Sequence, residues 1–366
     1  MIKKFIIVFS VAGALLFLFS CASVDEKAEF TPPVFPPPPE QPRFIWERMF
    51  VSSGDVKERT AMDKLRMFAT GASSVSQGLS KPWDVAVYQG RIYVTDTVAR
   101  VVVMFDLPGR NFKVIGSEGG PGQIVKPTGI SVNKNDGTLY VADVTAKRII
   151  VYDKDGNFLR ALGGSGTLRR PTDVAISPDG LTAWVIDNGG VDTQEHHLFK
   201  FDAITGEVLK KIGTRGKNPG EFNLPLQVAT APDGTVYVND GGNFRIQAFN
   251  PDGTFKLAFG NIGTRSGQFS RPKGITVDPD GNVFVVDSTF CNFQIFDPQG
   301  KLLLTIGQNG FKGFPATYVL PTGIASDKDG RIYVVDQFYR RVEVFRPADL
   351  PADQGYLSSI RPDSVK

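Results

Sequence analysis

Cysteine is almost absent from this chain. Cys21 and Cys291 are the only two in 366 residues, and no CxxC pair occurs. A disulfide framework is excluded, as is a CxxC metal or redox motif. Histidine is as scarce: His196 and His197 stand side by side with no third. Excess charge is missing too. The 41 Lys and Arg against 38 Asp and Glu leave +3, and two of those charges are Lys3 and Lys4 near the amino terminus. That balance gives no electrostatic footprint for nucleic acid. After residue 70 no apolar period of 3.6 residues is sustained, which argues against a helical body. Glycine and proline are plentiful instead, at 39 and 25, as in proteins of short strands and tight turns.

The amino terminus, MIKKFIIVFSVAGALLFLFSC, has a basic start and an apolar run of fifteen residues from Phe5 to Phe19. Such a run is short for crossing a bilayer and typical of a signal-peptide core. Leu18-Phe19-Ser20-Cys21 resembles the lipobox of bacterial lipoproteins, although Phe19 is bulky where a small residue is common. The resemblance implies cleavage before Cys21 and its acylation; an ordinary secretory signal is the alternative. Ala22 after the cysteine points to the outer membrane if the host is Gram-negative. TPPVFPPPPEQP follows at 31–42, with seven prolines in twelve positions. This is read as an extended spacer, reaching ~3.1 Å per residue. The organisation expected is a signal peptide at 1–20, a lipidated cysteine and spacer at 21–43, and one repeat domain at 44–366.

That domain repeats itself. PWDVAV, PTGISV, PTDVAI, PLQVAT, PKGITV and PTGIAS begin at Pro82, Pro127, Pro171, Pro225, Pro272 and Pro321, spaced by 45, 44, 54, 47 and 49 residues. Each opening strand is followed by a turn and a strand ending in Asp (Asp96, Asp143, Asp187, Asp240, Asp287, Asp336). An aromatic ends the third strand nine residues later in five units. Four antiparallel strands at this period predict an all-β propeller of six four-stranded blades. The fourth strands end at Gly116, Gly163, Gly213, Gly260 and Gly307, and the sixth unit lacks one. LRMFATG, Leu65 to Gly71, has the missing pattern, so an N-terminal strand is expected to close the last blade. Phe44 to Val56, with Trp46 and Met49, is left as a cap or an extra strand. GTRSGQFSRPKGITVDPDGNVFVVDS (263–288) and DGGNFRIQAF (240–249) resemble the NHL-repeat family of six-bladed propellers.

Chemistry has few places to reside. The turns DKDG, SPDG and DPDG place Gly right after their last carboxylate, as a β-turn does and a calcium loop does not. The six post-strand Asp residues, with Arg148, Arg245 and Arg341 five positions on in three blades, are read as structural ties. Symmetry breaks on the opening strands, where Asp84, Gly129, Asp173, Gln227, Gly274 and Gly323 are equivalent. Lactonase-like and amidating-lyase-like relatives hold a divalent metal in the channel, and that resemblance makes Asp84, Asp173 and Gln227 the candidate ligands of an alternative, enzymatic reading. The Glu and Asn set of the lactonases and the histidines of the lyases are not matched. Adjacent His196 and His197 are expected to point apart, and Cys291 to be a half-buried thiol. The loops after the second strands are lopsided as well. Phe244, Phe290, Phe338 and Tyr339, with Arg340 and Lys273, form a candidate protein-binding patch opposite Thr97, Val98, Val144 and Thr145. The reading adopted is a non-catalytic binding propeller. It is expected to have no cofactor, to be anchored to an envelope membrane by lipid, to engage a protein or extended ligand through its loop face, another envelope protein foremost, and not to bind nucleic acid.

Overall fold

The repeats pair as their spacing predicts. A computed structural model, which describes residues 30–57, 69 and 76–357, shows six blades whose innermost strands touch one another in a closed ring. In blade 1 the strands run outward in chain order: Pro82–Tyr88, Arg91–Asp96, Val101–Asp106 and Asn111–Ile115. Blades 2 to 5 repeat the order, opening with Pro127–Val132, Pro171–Ile176, Gln227–Thr230 and Pro272–Val277.

Each blade packs on neighbours at both faces, so its middle strands are buried along most of their length and do not alternate between buried and exposed. All six residues of Val101–Asp106 are buried. Burial falls outward, and in blade 3 the edge strand Val208–Ile212 is almost wholly exposed. Between blades, the residue three before each opening proline is driven into the gap: Leu79, Ile124, Leu168, Phe222, Phe269 and Tyr318 are all buried. This explains the glycine that ends each edge strand. At Gly260 (φ +79°) an added Cβ would sit 2.3 Å from the Phe269 ring, so backbone conformation and space both demand glycine.

The sixth blade is built from both ends of the chain. Pro321–Ser326, Ile332–Asp336 and Arg341–Pro347 supply three strands, and Phe44–Phe50 supplies the fourth, with Arg48 opposite Val344 and Phe50 opposite Val342. An N-terminal strand closes the ring, but it is Phe44–Phe50. Leu65–Gly71 lies, apart from Ala69, outside the described residues, within a long insertion between Val51 and Leu79. Leu79 N–H donates to the Val51 carbonyl (3.2 Å), as Ile124 does to Gly116 (3.0 Å), so Val51 occupies the place of the terminal glycine. The spacer also differs from the expected free extension, since Val34–Phe35 adds a short fifth strand and Phe35 packs edge-on to Phe345. The leader and Cys21 lie outside the described residues.

Candidate functional site

Two ends of the ring differ in kind. One carries the tight turns within each hairpin, whose Gly156, Gly180 and Gly281 have φ near +80° as β-turn positions require. The other carries the longer loops, and there the six aspartates act as clamps. Asp287 accepts N–H groups from Ser270 and Arg271 ahead of the proline and from Thr289 and Phe290 in the following turn (2.7–3.2 Å). Asp96, Asp143 and Asp336 do the same in their own blades. Ties of this kind commit the carboxylates to holding their own loops. Of the three expected Asp–Arg pairs only Asp240–Arg245 forms, at 2.9 Å. Arg148 turns to the Gln123 carbonyl, and Arg341 pairs with Glu343 at 3.0 Å while holding the Gly313 and Thr317 carbonyls.

Asp84, Asp173 and Gln227 do come together, as a buried belt across the channel. Each spans to the next inner strand: Ile130 N–H donates to Asp84 Oδ2 (3.1 Å), Val228 N–H to Asp173 Oδ2 (2.8 Å) and Ile275 N–H to Gln227 Oε1 (3.0 Å). Glycine at Gly129 and Gly323 makes room, since an added Cβ would meet the neighbouring Asp173 or Asp84 carboxyl well inside contact distance. Burial pushes Asp84 up to about 7, against the N–H groups of Val85 and Ile130 and the Gln227 side chain. Asp173 is also raised, by burial and by the charge of Asp84. Two facing carboxyls of this kind hold a proton between them near neutrality. Each side chain spends one oxygen on a backbone amide, while Asp173 Oδ1 is buried without a hydrogen-bond partner; no acid, histidine or cysteine trio gathers among the described residues.

The belt separates two cavities. Toward the turn face lies one of about 440 Å³, where the layer below the belt is all small: Ala86, Ser131, Ala175, Ala229, Thr276 and Ala325. Toward the loop face lies one of about 300 Å³, floored by the six residues that follow the opening prolines, Trp83, Thr128, Thr172, Leu226, Lys273 and Thr322.

The aromatic candidates divide. Phe338 is 55% exposed, and Tyr339 lies under it at 5.2 Å between ring centres. Arg340 is exposed at φ +53°, a left-handed turn position that Phe244 and Cys291 share in their blades. Phe244 and Phe290 are half-buried, and Phe244 packs on the core between blades 4 and 5. Lys273 belongs to the channel mouth, its ammonium 5.5 Å from the Trp83 ring centre. Two residues went unread in the sequence: Phe311 and Phe314, 72% and 60% exposed on the loop entering blade 6. The signal was available, because that loop is the longest of the five that follow a terminal glycine and carries two phenylalanines beyond its buried Tyr318. Phe311 meets Phe338 edge-on at 6.2 Å. The loop backbone is pinned by Tyr339, whose hydroxyl donates to Gly310 O (2.6 Å) and accepts from Gly313 N–H (3.0 Å).

His196 and His197 point apart. Leu224 N–H donates to His196 Nδ1 (3.1 Å) while Nε2 lies 2.9 Å from the Gly190 carbonyl, which fixes the Nε2–H tautomer. His197 pairs with Glu195 at 2.7 Å. Cys291 is buried, more deeply than expected, with Asn309 Nδ2 3.3 Å from its sulfur.

Comparison with known proteins agrees with this architecture. Residues 76–163 match a family described as a 6-bladed beta-propeller, and residues 269–296 match the NHL repeat. The human (Homo sapiens) E3 ubiquitin-protein ligase TRIM32 is 48% identical over 48 residues, which are 13% of this chain and 7% of that protein; the match thus spans only a small part of this relative. Among solved structures, a gluconolactonase from Xanthomonas campestris superposes with a TM-score of 0.56 at 18% identity, over 74% of this chain and 86% of that one. The virginiamycin B lyase of Staphylococcus aureus gives 0.51 at 16% identity, over 75% and 86%. At such identities the likeness is one of fold. Taken with the blade geometry, these matches describe a six-bladed β-propeller that carries an NHL repeat at residues 269–296.

Proposed function

We propose that this is a non-catalytic binding propeller, held at an envelope membrane through lipid on Cys21, that receives a protein partner on the aromatic side of its loop face. The observation that carries the reading is the Phe311–Phe338 pair, two large exposed rings in edge contact beside Phe314. Exposed aromatics grouped in this way mark interaction surfaces and dominate interface energetics. Their backbone is already fixed by Tyr339 and Arg341, so little ordering cost attends binding. Arg340 adds a charged rim. Crosslinking in intact envelopes tests this: a partner recovered with the wild-type chain is expected to be lost with Phe311→Ala/Phe338→Ala. Equal recovery would defeat the proposal. Labelling with radioactive palmitate checks the anchor, and Cys21→Ser is expected to abolish incorporation.

The second reading is a lactonase- or lyase-like enzyme centred on Asp84, Asp173 and Gln227. It draws support from the buried carboxyl pair and its raised pKa values. Stoichiometric divalent metal in purified protein, lost in Asp84→Asn/Asp173→Asn, would favour it over the binding reading.

A further inference from the structure

Among the described residues, the channel mouth on the loop face is walled without a single carboxylate. Four cations meet there from four blades: Lys81, Lys126, Arg170 and Lys273. Three of them immediately precede an opening proline, and their own backbone N–H groups are held by Asp96, Asp143 and Asp187 (2.7–3.1 Å). The clamp that shapes each loop therefore also fixes where the basic side chain leaves the backbone. Lys81, Lys126 and Arg170 are exposed and form no ion pair among the described residues. The wall also contains hydroxyls with nothing to bond. Thr322 Oγ and Thr172 Oγ are buried and have no hydrogen-bond partner, and Thr322 is only 4% exposed. Unpaired buried hydroxyls are rare in folded proteins because each costs free energy unless something answers it. Positive charge, hydroxyl donors and the flat face of Trp83 thus surround one space of about 300 Å³.

We propose that this mouth is a binding site for a small anion of two or more charges, a phosphate or carboxylate compound, gripped by Lys81, Lys126, Arg170 and Lys273 and hydrogen-bonded by the threonine floor. Lysine and arginine hydrogen bonds to such groups are among the stronger ones in proteins. The cavity is confined and the net charge of the chain small, so an extended polyanion has no track to follow. The carboxyl belt beneath is compatible with an anion, because burial keeps part of its negative charge protonated. An anion would also offset the burial and the Arg271 charge that lower the pKa of Lys273.

Pyrophosphate and citrate are the probes, titrated separately into the purified full chain at about physiological salt, with binding read by calorimetry and by Trp83 fluorescence. Saturable binding of either supports the site, and which one binds names the chemistry. Arg170→Ala and Lys126→Ala are each expected to raise Kd about tenfold or more. Thr322→Val is expected to weaken binding without changing net charge. Lys256→Ala, on the outer strand of blade 4 beside Asp233, should leave it unchanged. A fluorescence response that survives Trp83→Phe would place the anion elsewhere. The proposal is overturned if neither probe saturates, or if Lys256→Ala weakens binding as much as Arg170→Ala does.

Discussion

Blade 3 and blade 6 solve the same problem with different means. The edge strand of blade 3, Val208–Ile212, is the next segment of its own chain and lies exposed, contributing backbone pairing and little burial. The edge strand of blade 6 arrives from the far end of the sequence and must be specified by side chains, because no short turn delivers it. It buries Phe44, Trp46 and Phe50, with Phe50 against Phe105 of blade 1 at 5.6 Å. It also brings Glu47 to Arg331, Oε2 to Nε at 2.8 Å, with the guanidinium fully buried and further bonded to the Gln354 carbonyl. A strand given by connectivity can be bland, whereas a strand recruited from a distance has to be recognised.

The sharpest way to break that comparison is to truncate one side chain in each edge strand. Phe50→Ala is expected to cost about 3–5 kcal/mol, the range for a buried aromatic. Leu209→Ala, half-exposed in blade 3, should stay within about 0.5 kcal/mol. Urea unfolding of the two variants measures the difference, and similar midpoints would mean that the closing strand has no special role.

Arg331 comes next. Replacing it with Met orphans Glu47 in a buried site, expected to cost about 3–5 kcal/mol. The paired change Arg331→Met/Glu47→Leu removes both charges and should recover most of that loss. If the double variant is no better than the single one, the latch acts through the Gln354 contact and not through charge pairing.

The contrast between the blades also explains what the sequence made legible. Blade number, strand order, turns, clamps and the belt follow from features repeated six times, and each repeat has a local physical cause. The closing strand does not. FIWERMF lacks a terminal glycine, since Val51 takes that position and Leu79, which bonds to it, follows only after a long insertion. Leu65–Gly71 imitates the ordinary edge strand and so carries the pattern that Phe44–Phe50 lacks. The site was legible in part for the same reason. Asp84, Asp173 and Gln227 occupy a repeat position, as do Lys81, Lys126 and Arg170, each just before an opening proline. Phe311 and Phe314 sit in an irregular loop with no counterpart, and only the fold brings them to Phe338.

A smaller and pH-dependent effect separates blade 6 from blades 4 and 5. Gln247 and Gln294 each bind the loop entering their blade through an N–H at the oxygen (2.9 and 2.7 Å) and a carbonyl at the nitrogen (2.7 and 2.9 Å). Blade 6 has Glu343 there, accepting from Ala316 N–H, and burial outweighs Arg341 to push its carboxyl up to about 7 from 4.5. A carboxyl raised in the folded state binds a proton that the unfolded chain releases. Its contribution is therefore complete below pH 4.5 and is lost as pH rises through about 7. Glu343→Gln should flatten that fall and raise stability at pH 8 by about 1–3 kcal/mol, while Asp84 and Asp327 keep a residual slope. Chemical denaturation at pH 5 and pH 8 gives the answer; an unchanged pH dependence would show that Glu343 does not titrate with folding.

The least effect on stability is expected where the functional reading is most exposed. Phe338 is more than half exposed and meets the rings of Phe311 and Tyr339 at the surface, so Phe338→Ala should shift unfolding by less than about 0.5 kcal/mol. Tyr339→Phe offers the contrast one residue away. It keeps the ring over Arg341 (4.6 Å) but loses the hydroxyl that ties Gly310 to Gly313, for an expected cost of about 1 kcal/mol. If the loop exists to present its rings, Phe338→Ala abolishes partner crosslinking at full stability, whereas Tyr339→Phe weakens crosslinking only in proportion to loosened loop order, which amide exchange at Gly313 reports. Should Phe338→Ala instead destabilise as much as Tyr339→Phe, the exposed ring is part of the scaffold, and the aromatic half of the loop face loses its claim to a partner.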